Sequence, residues 1–219
     1  MSLFPIIAPI AAAVVSSSFT ASGHNGGSAR ASVTFSGVSL GAADAARRMA
    51  VGLYVDGGGG ITFSTVTIGG VSAAQAVNVQ AVNGQEIAIW TAAVPSGTTG
   101  DIVVTPSVNG DNYAYAMWRL LGASSSASDT LTNTSEPATG TIDCPAGGVI
   151  LGFASNDSAA ATMTWAGITE DVDEAIQNNH NYAAAHDDFA AVQSGLTITA
   201  DWATDASDGL VACSFGGAA

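Results

Sequence analysis

The chain has 219 residues, of which 47% are hydrophobic and only 10% are charged. Its formal net charge is -14, from 18 acidic residues against four arginines, because the sequence contains no lysine. Such an acidic surface repels phosphate backbones and argues against nucleic-acid binding. The sequence lacks a run of about 18 apolar residues, so it also predicts no membrane-spanning helix.

The first segment of the chain, residues 1–28, is predicted to be an extended docking arm followed by a Gly/Ser joint from Ser22 to Ser28. Pro5 and Pro9 remove backbone donors and disfavour a helix, so the apolar side chains of the arm need another surface to cover them. A signal peptide is an alternative, but no Lys or Arg precedes the apolar run. The residues predicted to bind a partner are Leu3, Phe4, Ile6, Ile7 and Ile10.

Residues 29–219 are predicted to form one domain of short β-strands. Apolar and alternating runs are separated by Gly, Asn, Asp, Ser and Pro, and helical periodicity is nearly absent. The pattern predicts an all-β fold, a single antiparallel β-sandwich that is jelly-roll-like. The glycines at 57–60 are predicted to form a hairpin tip. The predicted strands are 31–36, 49–56, 61–68, 74–79, 86–92, 101–105, 113–121, 139–143, 149–154, 162–165, 195–202 and 210–215.

The strand that begins at Tyr113 is apolar on both faces. This is typical of a strand covered within its own domain, or of one covered by another subunit. On the second interpretation Tyr113, Tyr115 and Met117 are further candidates for a partner-binding surface. Alternation along the strand before Trp202 predicts that this ring lies in the core.

Two segments give no clear strand signal. Residues 41–48 are compatible with one or two helical turns, with Asp44 and Arg48 spaced as a helical ion pair. Residues 170–188 are acidic and are ambiguous between a helix, a long loop and a pair of strands. A calcium site or a pair of hydrolytic carboxylates in this segment is possible in principle, but the spacing matches no defined site, and a solvated acidic loop is favoured.

No catalytic, cofactor or metal site is predicted. The serines lack a Gly-x-Ser-x-Gly elbow, and only His24, His180 and His186 are present to act as a base. Trp90, Trp118 and Trp165 could stack on sugars if exposed, but rings within strands belong more often to the core. Cys144 and Cys213 are predicted to be free thiols, with one disulfide as the alternative.

Several sequence stretches resemble a β-sandwich domain of virion proteins of tailed bacteriophages. The resemblance covers about residues 61–215 and lies in strand cores and turn glycines, so it carries no catalytic residues. It implies a location in the virion. The stretches that carry it are Val66-Thr67-Ile68-Gly69-Gly70-Val71, Ile89-Trp90-Thr91-Ala92-Ala93-Val94-Pro95-Ser96-Gly97, Ala116-Met117-Trp118-Arg119-Leu120-Leu121-Gly122-Ala123, Asp129-Thr130, Cys144-Pro145-Ala146-Gly147-Gly148-Val149 and Ser194-Gly195-Leu196-Thr197-Ile198-Thr199-Ala200-Asp201-Trp202.

From these observations we expect a non-enzymatic virion structural protein that decorates or cements the exterior of a capsid through its arm. The expected partners are the major capsid protein or another virion protein, together with further copies of this chain in a homo-oligomer. Neither a cofactor nor a membrane is expected to take part. The alternatives are a tail fibre, spike or adaptor that binds host glycans, and a glycan-degrading hydrolase that uses the carboxylates of residues 170–188.

Overall fold

The computed structural model describes residues 13–81, 84–157, 162–176, 180–203 and 208–218. Strands and isolated bridges make up 69% of the described residues, and every described strand pair is antiparallel. Within the described residues there is no helix long and apolar enough to cross a membrane. The prediction of an all-β chain built from antiparallel sheets is confirmed.

Among the described residues, nine strands belong to the first half of the chain and eight to the second half. Those of the first half are β1 (Ser16–Asn25), β2 (Val33–Ser39), β3 (Arg47–Asp56), β4 (Phe63–Ile68), β5 (Val71–Ser72), β6 (Ala74–Gln80), β7 (Glu86–Ala93), β8 (Thr99–Pro106) and β9 (Asn112–Leu121). Those of the second half are β10 (Asp129–Asn133), β11 (Ala138–Cys144), β12 (Gly148–Asn156), β13 (Met163–Ala166), β14 (Thr169–Ile176), β15 (His180–Phe189), β16 (Gln193–Trp202) and β17 (Asp208–Phe215).

These strands form four sheets. Sheet 1 has the order β2-β8-β4-β5, and sheet 2 has the order β1-β9-β3-β7-β6. Sheet 3 has the order β10-β17-β12-β15-β14, and sheet 4 has the order β11-β16-β13. The sequence predicts a single sandwich, which has two sheets, so the described structure contains a second pair of sheets beyond that prediction.

The second half of the chain repeats the strand order of the first. When β10 is matched with β1, β11 with β2 and so on to β17 with β9, the order of sheet 3 reproduces that of sheet 2, and the order of sheet 4 reproduces that of sheet 1. Only the two-residue β5 has no counterpart among the described strands. The chain is therefore a tandem topological repeat, which periodicity in the sequence did not reveal.

The four sheets stack face to face, in the order sheet 1, sheet 2, sheet 3, sheet 4. One buried apolar cluster lies between sheets 1 and 2 and includes Leu53 and Ile102. A second lies between sheets 3 and 4 and includes Ile150 and Ile198. The central cluster joins the two halves, with Trp118 from sheet 2 and Phe153 from sheet 3 among its large side chains. Burial of apolar area on both faces explains why β3, β9 and β12 read as continuous apolar runs.

The contact between sheets 2 and 3 is pseudo-symmetric. Strand β1 lies against β14, β3 against β12, and β9 against β15, while β6 lies against β10 and β7 against β17. Under the strand matching above, the contact of β1 with β14 corresponds to that of β10 with β6, and the contact of β9 with β15 corresponds to that of β17 with β7. The contact of β3 with β12 corresponds to itself. This is the arrangement of an isologous two-fold interface, here formed within one chain.

All twelve strands predicted from the sequence are present, while β1, β5, β10, β14 and β15 were not predicted. Residues 170–188 contribute to the strand pair β14–β15, which was one of the three alternatives. The prediction of a hairpin tip at 57–60 is wrong, because β3 and β4 belong to different sheets and the glycines carry the chain between them. Gly58, Gly59 and Gly60 have positive φ values of 75°, 70° and 83°, which other residues rarely adopt.

Two further segments differ from the sequence-based expectation. Residues 16–25, assigned above to the arm and its joint, form β1, which pairs with β9 at the edge of sheet 2. Residues 41–46 form a turn instead of a helix, in which the Asp44 carboxylate accepts a hydrogen bond of 2.8 Å from the amide of Ala46. The Arg47 side chain packs inward, so an exposed helical face cannot form there.

Candidate functional site

The residues predicted to bind a partner fall into two groups. Leu3, Phe4, Ile6, Ile7 and Ile10 lie outside the described residues. Tyr113, Tyr115 and Met117 are only 1%, 7% and 0% exposed, in the cluster between sheets 1 and 2. In this structure the strand is covered within its own domain, which was the other interpretation of its sequence. Sheet 1 of the same chain covers the side chains that a partner would need to reach.

The polar feature with the most contacts is a seam along one side of the interface between sheets 2 and 3. Sheet 2 supplies serine, histidine and indole donors from β1 and β9, and sheet 3 supplies carboxylates from β14 and β15. We call this set the inter-sheet seam. Its members are Ser17, Ser22, His24, Trp118, Asp171, Glu174, Tyr182, His186 and Asp188.

Asp171 is the centre of the buried part of the seam. A register shift between Glu170 and Val172 places it at a β-bulge, which turns its carboxylate towards sheet 2. The indole Nε1 of Trp118 donates a hydrogen bond of 2.8 Å to Asp171 Oδ2, and Nδ1 of His186 lies 2.7 Å from the same oxygen. One carboxylate thus joins β9 of the first half to β14 and β15 of the second.

Burial lowers the pKa of His186, but the hydrogen bond and the charge of Asp171 raise it, with smaller contributions from Asp188 and Asp187. The net effect is a pKa above the ordinary value of histidine. An imidazolium is therefore favoured beside this carboxylate.

Glu174 holds the next part of the seam. Its Oε2 accepts a hydrogen bond of 2.5 Å from the Tyr182 hydroxyl, and its Oε1 accepts one of 3.3 Å from Ser22 of sheet 2. His24 Nδ1 lies 3.8 Å from Oε2 and is more exposed. Burial is the main reason that the pKa of Tyr182 is raised, so its hydroxyl stays protonated and can donate. At the far end of the seam, Ser17 Oγ donates to Asp188 at 2.6 Å.

His180 lies between two carboxylates at one end of the same interface. Its Nε2 is 3.1 Å from Asp56 of β3, and its Nδ1 is 3.1 Å from Asp157, which follows β12. Only the imidazolium can donate from both ring nitrogens. Burial lowers the pKa of His180, but Asp56, with added charge from Asp157 and Asp111, raises it by more. The hydrogen bond from His180 is in turn the main cause of the lowered pKa of Asp56.

The carboxylates around His180 do not form a metal site. Asp56 and Asp157 lie on opposite edges of the imidazole ring and face different nitrogens, so they cannot share one cation. Within the described ranges no group of three or more His, Cys, Asp or Glu side chains could hold a metal ion. The positive charge between these carboxylates is the imidazolium itself.

The opposite side of the same interface contains a groove with an uncharged lining. There β6 and β7 lie against β10 and β17, and a groove of about 290 Å³ is lined by residues without charge, among them Gln75, Thr91, Ser126 and Thr130. The two sides are related by the pseudo-symmetry of the fold, yet the histidine–carboxylate pairs lie outside this groove, and the charged group next to it is Arg48, which donates to Thr91 at 3.4 Å. The seam is therefore a property of particular side chains and not of the topology.

Arg47 forms a separate polar centre. Arg47 as a whole is 1% exposed, and its guanidinium donates to six backbone carbonyls, at distances from 2.6 to 3.2 Å. Burial is the main cause of its lowered pKa. The six acceptors are Val94, Leu40, Gly41, Ala42, Ser96 and Gly97.

The loops that Arg47 holds border an open groove of about 530 Å³. The groove is rich in glycine, and the one ionisable residue lining it is Asp101, whose Oδ1 already accepts a hydrogen bond from the amide of Gly37. Its lining offers no pair of groups for acid–base chemistry.

The arrangement offers little for nucleophilic catalysis. Among the hydrogen bonds of the described residues, no hydroxyl or thiol is paired with an imidazole. Cys144 and Cys213 are buried and free, which confirms the predicted thiols. Burial raises the pKa of Cys144 to about 11 and also raises that of Cys213, so neither thiol ionises readily near neutral pH.

Sequence reasoning identified the three histidines and the acidic segment 170–188, but it did not pair them. The pairing of Asp171 with Trp118 depends on a bulge and on the packing of the two halves, which the spacing of residues does not encode. Asp56 and Asp157 each follow an apolar run at the end of a strand. That shared position was the one sequence signal for their proximity.

No protein-family model and no curated protein matches this sequence. A solved structure named BspA_C_mut is similar to it at 10% identity, over 77% of this chain and 75% of its own, with a TM-score of 0.20. A similarity at this level supports neither a fold nor a function for this chain.

Proposed function

We propose that this chain is a non-enzymatic structural protein of a bacteriophage virion, which decorates or cements the capsid exterior through the arm at residues 1–12. The resemblance of residues 61–215 to virion sandwich domains supports the location. The layered sheets support the structural role, because the described interior is filled by three apolar clusters. The acidic surface would face solvent, and further copies of the chain would form an oligomer.

The observation that carries the proposal furthest is the order in which the strands of each half pair. In the second half the first strand pairs with the last, the second with the seventh, and the third with the sixth, as β10–β17, β11–β16 and β12–β15. The nesting of these three pairs is similar to that of a jelly roll, an architecture common in viral capsid domains and also in lectins, although the innermost strands β13 and β14 lie in different sheets.

Neither alternative role is favoured by the placement of its side chains. Glycan binding needs exposed aromatic rings, but Trp90 is 8% exposed and Trp118 is fully buried. The third candidate, Trp165, is half-buried against the apolar cluster between sheets 3 and 4. Hydrolysis needs two free carboxylates across a cleft, whereas Asp171, Asp173 and Glu174 each accept hydrogen bonds from the protein itself.

The test is co-sedimentation of the purified protein with capsids that lack it. The structure fixes the deletion at residues 1–12, because Val15 is buried and its amide donates to the carbonyl of Gly147, and β1 begins at Ser16. We expect saturable binding by the full chain and no binding by the deleted form.

A second variant keeps the arm at its full length but removes its apolar side chains. It carries serine at Leu3, Phe4, Ile6, Ile7 and Ile10. It should also fail to bind, since each large apolar side chain that becomes buried contributes about 1.5 to 3 kcal/mol. Val192→Ser is the matched control, because this valine is 67% exposed on the body of the protein. Binding that survives loss of the arm would overturn the docking role, and absence of binding by the full chain would overturn the capsid role.

A further inference from the structure

All three histidines of the chain lie at the contact between sheets 2 and 3, and each has a carboxylate within 3.8 Å. The groove on the β6 and β10 side is lined without any such pair. Since the fold packs that side without histidine–carboxylate pairs, it does not require them for packing alone.

His180 joins the two halves most directly. Asp56 reaches it from β3 of sheet 2, while Asp157 reaches it from the end of β12 in sheet 3. Gln85 lies 3.4 Å from Nδ1, and the ring of Tyr54 is 5.8 Å away, centroid to centroid. Asp111 is the remaining charge that acts on this ring. Without its extra proton, the imidazole leaves one of the two carboxylates facing a lone pair.

His186 depends on groups from three strands. Asp171 of β14 is its direct partner, and Trp118 of β9 donates to the same carboxylate. Asp187 and Asp188 lie on β15 itself, and Asp188 is held by Ser17 of β1. Loss of the imidazolium charge would leave three carboxylates close together along the seam.

We propose that the inter-sheet seam and His180 together form a pH-sensitive latch. Protonated His186 holds β1 and β9 against β14 and β15, and protonated His180 holds β3 against the end of β12. Deprotonation releases these contacts while the β6 and β10 side stays packed. The latch is independent of the capsid role proposed above, because it depends only on contacts within the chain.

The direction of the effect follows from the pKa shifts. Both histidines have a pKa in the folded protein above the ordinary value of 6.5, so their stabilisation is complete below that value and is lost as the pH rises through the raised one. Asp56 has a lowered pKa, so its contribution persists above its ordinary 3.8 and is lost only as the pH falls through the lower value. The latch is therefore closed in mildly acidic solution and opens on the alkaline side.

The test is backbone amide hydrogen exchange of the full-length protein between about pH 6 and pH 9, corrected for the intrinsic exchange rate at each pH. Amides of β1 and β14 should lose protection, by up to about tenfold per pH unit for each linked proton. Amides of β6 and β10 are the internal control and should keep theirs. Protection that is independent of pH, or that falls equally on both sides, would overturn the proposal.

Asp171→Asn sharpens the test, because asparagine has nearly the same shape and can still accept from Trp118. We expect the amide protection of β14 to depend less on pH than in the wild type. We also expect the imidazole of His186 to titrate at a lower pH in proton–carbon NMR spectra. Asp201→Asn, at an exposed position on β16, is the matched control and should leave both unchanged.

Titration of the wild-type imidazoles needs no variant to fold. Midpoints at or below about 6.5 for His180 and His186 would overturn the latch.

Discussion

The two halves of this chain have the same strand order but hold their loops and interiors in different ways. The first half begins β3 with Arg47, whose buried guanidinium fixes two loops through six carbonyls. The second half begins the matching strand β12 with Gly148, where an added Cβ would meet backbone atoms of Phe215 and Pro145. Apolar faces and pairing order therefore specify the topology, while the polar groups that fix the loops differ between the copies.

The largest expected loss of stability comes from removing the Arg47 guanidinium, which has no counterpart at the start of β12 in the second half. Arg47→Ala would leave six buried or half-buried carbonyls without their donor, and we expect it to lower the free energy of unfolding by about 3 kcal/mol or more. Arg47→Lys should recover only part of this, because an ammonium group has three donors and lacks the planar fork of the guanidinium. Denaturant titration measures both.

Arg30→Ala is the control for Arg47, because Arg30 is only half-buried and its side chain has one hydrogen bond, to Asn25. We expect it to cost less than about 1 kcal/mol. Equal losses at Arg47 and Arg30 would contradict the role given to the Arg47 guanidinium.

The second comparison is between the two sheets that meet at the centre. Gly52 on β3 leaves room for the ring of Phe153 on β12, and a Cβ at this position would overlap that ring. Gly52→Ala should therefore cost about 1 to 3 kcal/mol through overpacking, measured by thermal or denaturant unfolding.

Two further variants test whether the cost of Gly52→Ala arises at the Phe153 ring. Phe153→Leu in the same chain should reduce the added cost of Gly52→Ala, which a double-mutant cycle reports. Gly216→Ala is the control, since its Cβ would lie 3.2 Å from the Pro145 ring and 3.5 Å from Ser128 Oγ, and so would overlap neither. If the changes in the free energy of unfolding caused by Gly52→Ala and Phe153→Leu were additive, the contact between Gly52 and the Phe153 ring would be contradicted.

The strands that the sequence did not predict show what limits such reasoning. Strands β1, β5, β10 and β14 all lie at sheet edges, where polar and charged residues are normal, so they lack the apolar runs that mark central strands. Strand β15 is internal, but it fills both faces with alanines, which have weak strand preference. The central strands were predicted because both of their faces are buried.

The candidate site was less predictable than the fold for a related reason. Its partners come from separate strands in both halves, and their proximity depends on how sheets 2 and 3 are placed. The acidic residues of β14 therefore looked like a solvated loop, although Asp171 and Glu174 accept hydrogen bonds from sheet 2. The repeat was missed because the two copies share strand order and not sequence spacing.

The third prediction compares the buried and exposed parts of the seam. Trp118→Phe keeps most of the apolar ring but removes the donor to Asp171, and hydrogen bonds to charged groups contribute about 1.5 to 3 kcal/mol. We expect the free energy of unfolding to fall by an amount near the lower figure, since His186 still faces the Asp171 carboxylate. Chemical denaturation at pH 6 measures it, and a loss no greater than that of an exposed substitution would show that the indole donor does not hold the two halves together.

The smallest effect is expected at the exposed end of the seam, where Ser17 donates to Asp188. Ser17→Ala should change the free energy of unfolding by no more than about 0.5 kcal/mol, because water replaces the lost donor at an exposed carboxylate. It should nevertheless raise amide exchange in β1 more than in β6, since the contact ties the edge strand to β15. Exchange measured at one pH is sufficient, and a change spread equally over both strands would show that this end of the seam does not act locally.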